Sequence, residues 1–403
     1  YVDDFRGISI SPTISKLFEM AIIERFASYF ETSDHQFGFK KNLGCREAIF
    51  CVRNIVENFI ANGSTVSVCA LDLSKAFDRM NHYALLCKLM KRNYPLQLLI
   101  ILETWFAVTV TCVKWKDHVS SFFRLQVGVR QGGVLSPLLF AMFIDDLVSK
   151  VKSANSGCYL SFSCCCIFLY ADDILLLSPS IAGLQLLVDA CELECDSLDM
   201  RINVNKSCCV RFGNRFNEPC SEIVFKHDIH WADSCKYLGV NFVGGRFFRC
   251  SLDDSKSRFF RAFNAVYGKV GHFASDPVLL GLIRAKCIPI LLYGIESCPL
   301  LMRQISSLEF SLTRVLMRIF RTNSSLTVKQ CQVNFGILPI ACQLKIRTAR
   351  FLQKFIASQN PLCCLFAQNA TSQLNEICSN YGKNVRSVSQ LSNIIFDRFY
   401  SHL

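Results

Sequence analysis

Residues 168–177 read Phe-Leu-Tyr-Ala-Asp-Asp-Ile-Leu-Leu-Leu. Two adjacent carboxylates interrupt two apolar runs. The pattern predicts a strand, a tight turn and a second strand, with the flanks buried and Asp172-Asp173 at the bend. Like charges held side by side against a core are costly unless cations neutralise them. Hard divalent cations with oxygen ligands do this, and Mg2+ is the usual one where phosphates react. The pair therefore reads as half of a metal site. The dipeptide by itself is a weak signal, because Asp-Asp also stands at 3–4, 145–146 and 253–254.

The rest of the chain supplies the context. With 51% hydrophobic and 19% charged residues over 403 positions, the composition argues against disorder and a large core is available. The chain begins at Tyr1 rather than Met, and reads as a fragment lacking its upstream part. The net charge of +12 is concentrated: residues 246–350 carry 16 Lys and Arg against 5 Asp and Glu, a net of +11. A basic module beside a nearly neutral, carboxylate-bearing one suits a polyanion held by one part and processed by the other, although a solvated basic surface has the same composition. The 23 cysteines are odd in number and scattered, with no Cys-x-x-Cys, so neither a disulfide framework nor a zinc knuckle fits. Cys164-Cys165-Cys166 read as small core hydrophobes within a strand. A reducing, intracellular setting (cytoplasmic, nuclear or both) follows, and no signal peptide is visible. The uncharged stretch 153–171 contains Asn155, Gly157 and four serines, and reads as buried sheet and not as a membrane span.

Hydrophobic periodicity predicts helices over 14–30, 46–60, 74–92, 96–106 and 181–200. Strands are expected at 65–72 and 108–114, with short ones through 207–243. Ser136 is placed as a helix cap with Pro137 at the first position, the helix running to about Lys150. From about Ser251 the pattern is helical, interrupted near Pro289, Pro299 and Pro339. The order is mixed α+β first and a basic helical module second. If the Asp72 strand neighbours the Asp172-Asp173 strand, the carboxylates meet at one sheet edge, where two metals about 3.5–4 Å apart would clamp the attacking and leaving oxygens of a phosphoryl transfer. Asp72 taken singly reads equally well as a helix-capping Asp.

Three segments then acquire a specific likeness. Ala70-Leu71-Asp72-Leu73-Ser74-Lys75-Ala76-Phe77-Asp78, Gly128-Val129-Arg130-Gln131-Gly132-Gly133-Val134-Leu135-Ser136-Pro137 and Tyr170-Ala171-Asp172-Asp173 resemble motifs A, B and C of reverse transcriptases, in that order. Phe5-Arg6-Gly7-Ile8-Ser9 and 36–48 resemble the fingers segments of the non-LTR (LINE-like) retrotransposon enzymes, 198–207 their motif D, and Lys236-Tyr237-Leu238-Gly239 the primer-grip motif E. The resemblance implies an α+β right-hand polymerase. Residues 1–64 would be partial fingers and 65–245 the palm, with 96–125 as an insertion. Residues 246–350 would be a basic helical thumb, and 351–403 a helical extension.

It also implies roles. Asp72, Asp172 and Asp173 would hold two Mg2+ ions, for which Mn2+ is an admissible substitute. Phe77 would lie beneath the nucleotide sugar and exclude a 2′-OH. Gln131 and Gly132 would meet the incoming nucleotide and template, Arg6 the triphosphate, and Lys206 the leaving pyrophosphate. Tyr237, Leu238 and Gly239 would support the primer end. The partners implied are an RNA template, a DNA primer or target DNA, and dNTPs, with no membrane.

Taken without the family, several of these residues have plainer readings: Phe77 as a core aromatic, Gly132-Gly133 as a tight turn, Lys206 as a surface lysine. Tyr1-Val2-Asp3-Asp4 repeats the motif C pattern but precedes a polar turn, and reads as a loop. Asp145-Asp146 reads as a solvated helix face or an internal salt bridge, and His82 as a local packing or capping residue. Gly7 departs from the family's usual proline. The function implied is RNA-templated DNA synthesis. The competing readings are a catalytically inactive remnant that binds nucleic acid, an RNA-dependent RNA polymerase, which Phe77 argues against, and a maturase-type protein, for which no tail is evident.

Overall fold

The computed structural model describes residues 7–225, 227–271, 273–382, 385 and 387–401. Arg6 and the Tyr1–Asp4 segment lie outside the described residues. Contacts divide the chain into two units, one drawn from 1–44, 65–211 and 217–232, the other from 45–64, 212–216 and 233–403. The four segments implied by the family resemblance are drawn on other lines, most visibly at helix Cys45–Ala61, which belongs to the second unit.

The first unit is built on a four-stranded sheet. Val66–Asp72 (β1), Ile167–Tyr170 (β2), Asp173–Ser178 (β3) and Cys208–Phe212 (β4) lie in the order β4-β1-β3-β2. β3 runs antiparallel to both neighbours and sets Asp173 opposite Asp72 on one side and Tyr170 on the other. Helices Ser136–Ile144 and Asp146–Ser153 fall between β1 and β2, and helix Ile181–Ser197 between β3 and β4. This is a β-α-β-β-α-β arrangement. β1 is buried along its length until Asp72, the point where the polypeptide reaches the sheet edge. Leu71, Leu169, Ile174 and Leu176 from the sheet share a core with Phe140, Phe143, Leu184 and Leu187 from these helices. That burial, about 1.5–3 kcal/mol per large apolar side chain, holds the strand ends in register.

Four sequence expectations change. The helix expected over 74–92 is broken into Ala76–Arg79 and His82–Lys91, because Lys75 takes a left-handed φ of 50° and Met80 is extended. Asn81 then caps the second piece, its Oδ1 accepting from the Ala84 N–H at 3.0 Å. Ser136 is not the cap of its helix. It is the first helical residue, and the orphan N–H groups of Val134 and Leu135 go instead to the Glu19 carboxylate. The strand expected over 108–114 is two short strands, Val110–Thr111 and Lys114–Trp115, in separate two-stranded ladders. Cys165 and Cys166 are buried as core residues, but between strands and not within one.

The second unit joins helix Cys45–Ala61 to a three-stranded antiparallel sheet (Ser234–Tyr237, Val240–Val243 and Arg249–Ser251) and to the helices that follow Asp253. Phe259, Phe263, Leu291, Leu308, Leu312 and Leu316 form its main core. Buried Glu296 receives both Arg46 (3.0 Å) and Arg347 (3.3 Å), tying Cys45–Ala61 to the C-terminal helices. Among the described residues, no helix is long and apolar enough to cross a membrane.

Candidate active site

Asp72, at the end of β1, and Asp172, in the two-residue turn between β2 and β3, line one open cleft of about 680 Å³. Phe77, Gln131, Gly132 and Lys206 line it too. The cleft thus brings together six of the residues singled out in the sequence. Asp173 is placed in the ladder directly opposite Asp72.

Local chemistry explains how distant segments reach this edge. The segment before β4 is laced to the end of β1: Asn203 N–H donates to Asp72 O (2.7 Å), Ser74 N–H to Arg201 O (2.7 Å), and Asp72 N–H to Ser207 Oγ (3.2 Å). These bonds carry Lys206 to the cleft wall. The loop 128–133 is laced to the short helix after β1. Gly128 N–H donates to Met80 O and Val129 N–H to Phe77 O, both at 2.8 Å. A Cβ on Gly128 would meet the Asp78 backbone at 2.7 Å, and its φ is +83°, so only glycine allows this approach. Gln131 Nε2 donates to Asp78 Oδ1 at 3.1 Å. At Gly132, with φ +118°, a Cβ would lie 2.8 Å from Ser9 O. The Phe77 ring stacks on fully buried Phe140, with centroids 4.6 Å apart, so it is fixed from behind.

The charge balance of the wall suits a phosphorylated ligand. Lys75, Arg79, Arg130 and Lys206 face Asp72, Asp78 and Asp172. Lys75, Arg79 and Arg130 were not singled out from the sequence. They are scattered cations whose convergence depends on the lacing just described, although Lys75 and Arg130 stand within the quoted motifs. Among the described residues, no three His, Cys, Asp or Glu side chains gather as a ready-made metal cage. Asp72 and Asp172, whose side chains offer only oxygen donors, nonetheless fit Mg2+, which keeps several waters and shares oxygens with substrate phosphates.

Two further polar groups support this unit, and the first, Glu19, had no sequence signal. Buried Glu19 accepts from Val134 N–H (2.6 Å) and Leu135 N–H (2.8 Å). Removing an acceptor that satisfies two backbone N–H groups at the helix entry should cost about 2–4 kcal/mol. Urea unfolding of Glu19→Ala should show that loss, and Glu19→Gln, which keeps one oxygen, a smaller one. Equal midpoints for wild type and Glu19→Ala would refute the assignment. Arg92 bridges Asp145 (3.0 Å) and Asp146 (2.7 Å), and Lys88 joins Asp146 (3.1 Å) to Glu194 (3.2 Å). The acidic pair at 145–146 is therefore an internal salt-bridge network. His82 packs locally, stacked on Phe106 with Nε2 2.6 Å from Gly128 O.

His35 lies beside β2, its Nε2 2.9 Å from Cys164 O. Burial pushes its pKa down to about 4, against the partial opposing effect of that hydrogen bond. The folded protein therefore resists protonating His35 while the unfolded chain accepts the proton near pH 6.5. Its contribution is complete above that pH and is lost as pH falls toward about 4. Between pH 7 and 5 this amounts to about 2 kcal/mol. Chemical denaturation at the two pH values should show His35→Gln losing less stability than wild type on acidification; parallel losses would rule the linkage out.

In the second unit, Tyr237, Leu238 and Gly239 form the turn between Ser234–Tyr237 and Val240–Val243. Leu238 (φ 47°) and Gly239 (φ 81°) both have positive φ, as a two-residue type I′ hairpin requires. The aromatic ring of Tyr293 lies 2.9 Å from where a Gly239 Cβ would stand, and Arg258 Nη2 donates to Gly239 O at 3.3 Å.

An antiparallel sheet whose edge carries acidic residues beside a cleft that also holds cations is an arrangement suited to phosphoryl-transfer chemistry. Residues 2–242 match the family of reverse transcriptases (RNA-dependent DNA polymerases), and the chain belongs to that family. Its fold class is accordingly the α+β right-hand polymerase expected from the sequence. Its relatives are reverse transcriptases of non-LTR retrotransposons. The RNA-directed DNA polymerase from mobile element jockey of Drosophila melanogaster is 29% identical over 251 residues, 59% of this chain and 27% of that protein. The Pol polyprotein of the type-2 retrotransposable element R2DM, from the same organism, is 24% identical over 257 residues, 62% and 24% of the two chains. The chain thus spans about a quarter of the length of these relatives. A solved telomerase from Candida tropicalis aligns over 95% of this chain and 56% of its own, at 13% identity and a TM-score of 0.45.

Proposed function

We propose that this chain is the polymerase module of a non-LTR retrotransposon reverse transcriptase, extending a DNA primer on an RNA template. The observation that carries the reading is the shared cleft of Asp72, Asp172, Phe77, Gln131, Gly132 and Lys206. Asp72 and Asp172, with Asp173 in support, would hold Mg2+ or Mn2+. When bound, the two ions supply charge stabilisation at the primer 3′-oxygen and at the leaving pyrophosphate. Lys206 stands on the same wall to meet the pyrophosphate charge. Lys75, Arg79 and Arg130 add positive charge for the triphosphate; Arg6, to which the family resemblance gives that role, lies outside the described residues. Phe77 would close the space beneath C2′ of the sugar, and the 131–132 backbone would abut the nascent base pair. The Tyr237-Leu238-Gly239 hairpin would support the primer end. The basic helices of 246–350 would track the hybrid backbone as a thumb, with 65–245 as palm and 1–64 as part of the fingers. The odd number and scattered placement of the 23 cysteines fit an intracellular, cytoplasmic or nuclear, setting.

Primer extension on poly(rA)/oligo(dT) with dTTP and Mg2+ or Mn2+ tests the reading. Extension with dTTP and none with UTP is the expected result. Hybrid binding without extension would leave an inactive nucleic-acid-binding remnant in its place.

A further inference from the structure

We propose that Gln36 is a positioning residue for the turn that carries Asp172, a role that rests on the polymerase reading above. Gln36 is fully buried. Its Oε1 accepts two backbone N–H groups, from Gly38 at 3.0 Å and from Ala171 at 3.2 Å. Ala171 is the residue immediately before Asp172. It holds φ +56°, a conformation an L-residue keeps only where its surroundings over-determine it.

The approach is enforced from both sides. Phe37 N–H donates to Leu169 O (2.8 Å) and Leu169 N–H to His35 O (2.9 Å), so 35–37 adds to β2 as a short parallel strip. A Cβ on Gly38 would stand 2.8 Å from Ala171 N, so glycine is what lets the strip close on the turn. The Gln36 amide orientation is determined by the same contacts. Both neighbours are donors, so only the oxygen can face them, and buried Nε2 is left with no hydrogen-bond partner among the described residues. Leaving that amide unpaired is tolerable if the acceptor is what the site requires. Gln36 is not among the residues that line the cleft. It acts through Ala171 on the direction of Asp172.

The test compares wild type with Gln36→Met, which keeps the length and loses the acceptor, and Gln36→Glu, whose carboxyl accepts the same two N–H groups whether ionised or not. Hydrogen exchange of peptides covering 165–178 reads the turn without reference to activity. In Gln36→Met, exchange there should rise about 10-fold or more while the rest of the protein keeps its protection. On the hybrid primer, kcat should fall about 10- to 100-fold and the Mg2+ requirement rise, with KM for dTTP held within about threefold. Gln36→Glu should return both readouts most of the way to wild type. Unchanged exchange and kcat in folded Gln36→Met would overturn the proposal. If Gln36→Met does not fold, Gln36→Glu decides: protection at wild-type level supports the clamp, and a loosened turn refutes it. If wild type fails to extend primers, the polymerase reading falls, and the exchange data decide the clamp independently.

Discussion

Replacing Asp172 with Asn is expected to reduce dTTP incorporation on a poly(rA)/oligo(dT) hybrid by about 10³-fold or more. The side chain keeps its shape and its place in the cleft that it shares with Asp72 and Lys206. What is lost is one negative charge where divalent cations and a triphosphate would meet. Charge stabilisation worth several kcal/mol leaves with it, and each 1.4 kcal/mol is about tenfold in rate. The variant should keep its thermal midpoint, since Asp172 lies at the open end of the sheet and outside its apolar core. It should also keep hybrid binding, which the basic helices would supply. Single-turnover extension beside a filter-binding measurement separates the two. Extension by Asp172→Asn at a rate near wild type would remove Asp172 from the catalytic set.

The second large effect is on sugar choice. Phe77→Val should raise the efficiency of UTP relative to dTTP by about 100-fold, because replacing the ring with an isopropyl group opens the volume a 2′-OH needs. Phe77 is well placed for this: it lines the cleft and its ring is stacked on buried Phe140. The lost stacking and burial should cost about 1–3 kcal/mol of stability. Incorporation of each nucleotide is therefore measured well below the melting temperature. If a folded Phe77→Val rejects UTP as strongly as wild type, another wall of the cleft selects the sugar.

Much of this site was legible in the sequence, for physical reasons that differ from residue to residue. Asp172 and Asp173 betrayed themselves as charges between two apolar runs, and Asp72 as a carboxylate ending a β-rich segment. Phe77, Gln131, Gly132 and Lys206 became readable only through the order of the motifs. The broken helix at 74–92 was not legible. Apolar periodicity continues through Lys75 and Met80, and the break comes from tertiary bonds that pull Gly128 and Val129 onto Met80 and Phe77. Ser136 followed by Pro137 looked like a cap from local chemistry, yet Glu19, more than 100 residues earlier, supplies the acceptor.

What the sequence by itself determined is the set of chemical groups and the strands that present them, because period-2 apolar runs bounded by polar turns leave few alternatives. It also determined the family, through seven motifs in order. What only the tertiary structure decided is which polar side chains serve the backbone of the cleft. Glu19, Gln36 and Ser207 are single polar residues with no periodicity to mark them, and their partners lie 115, 135 and 135 residues away. A buried N–H must find an acceptor wherever the fold brings one. That choice is made by packing across the whole sheet, and no local window of sequence contains it.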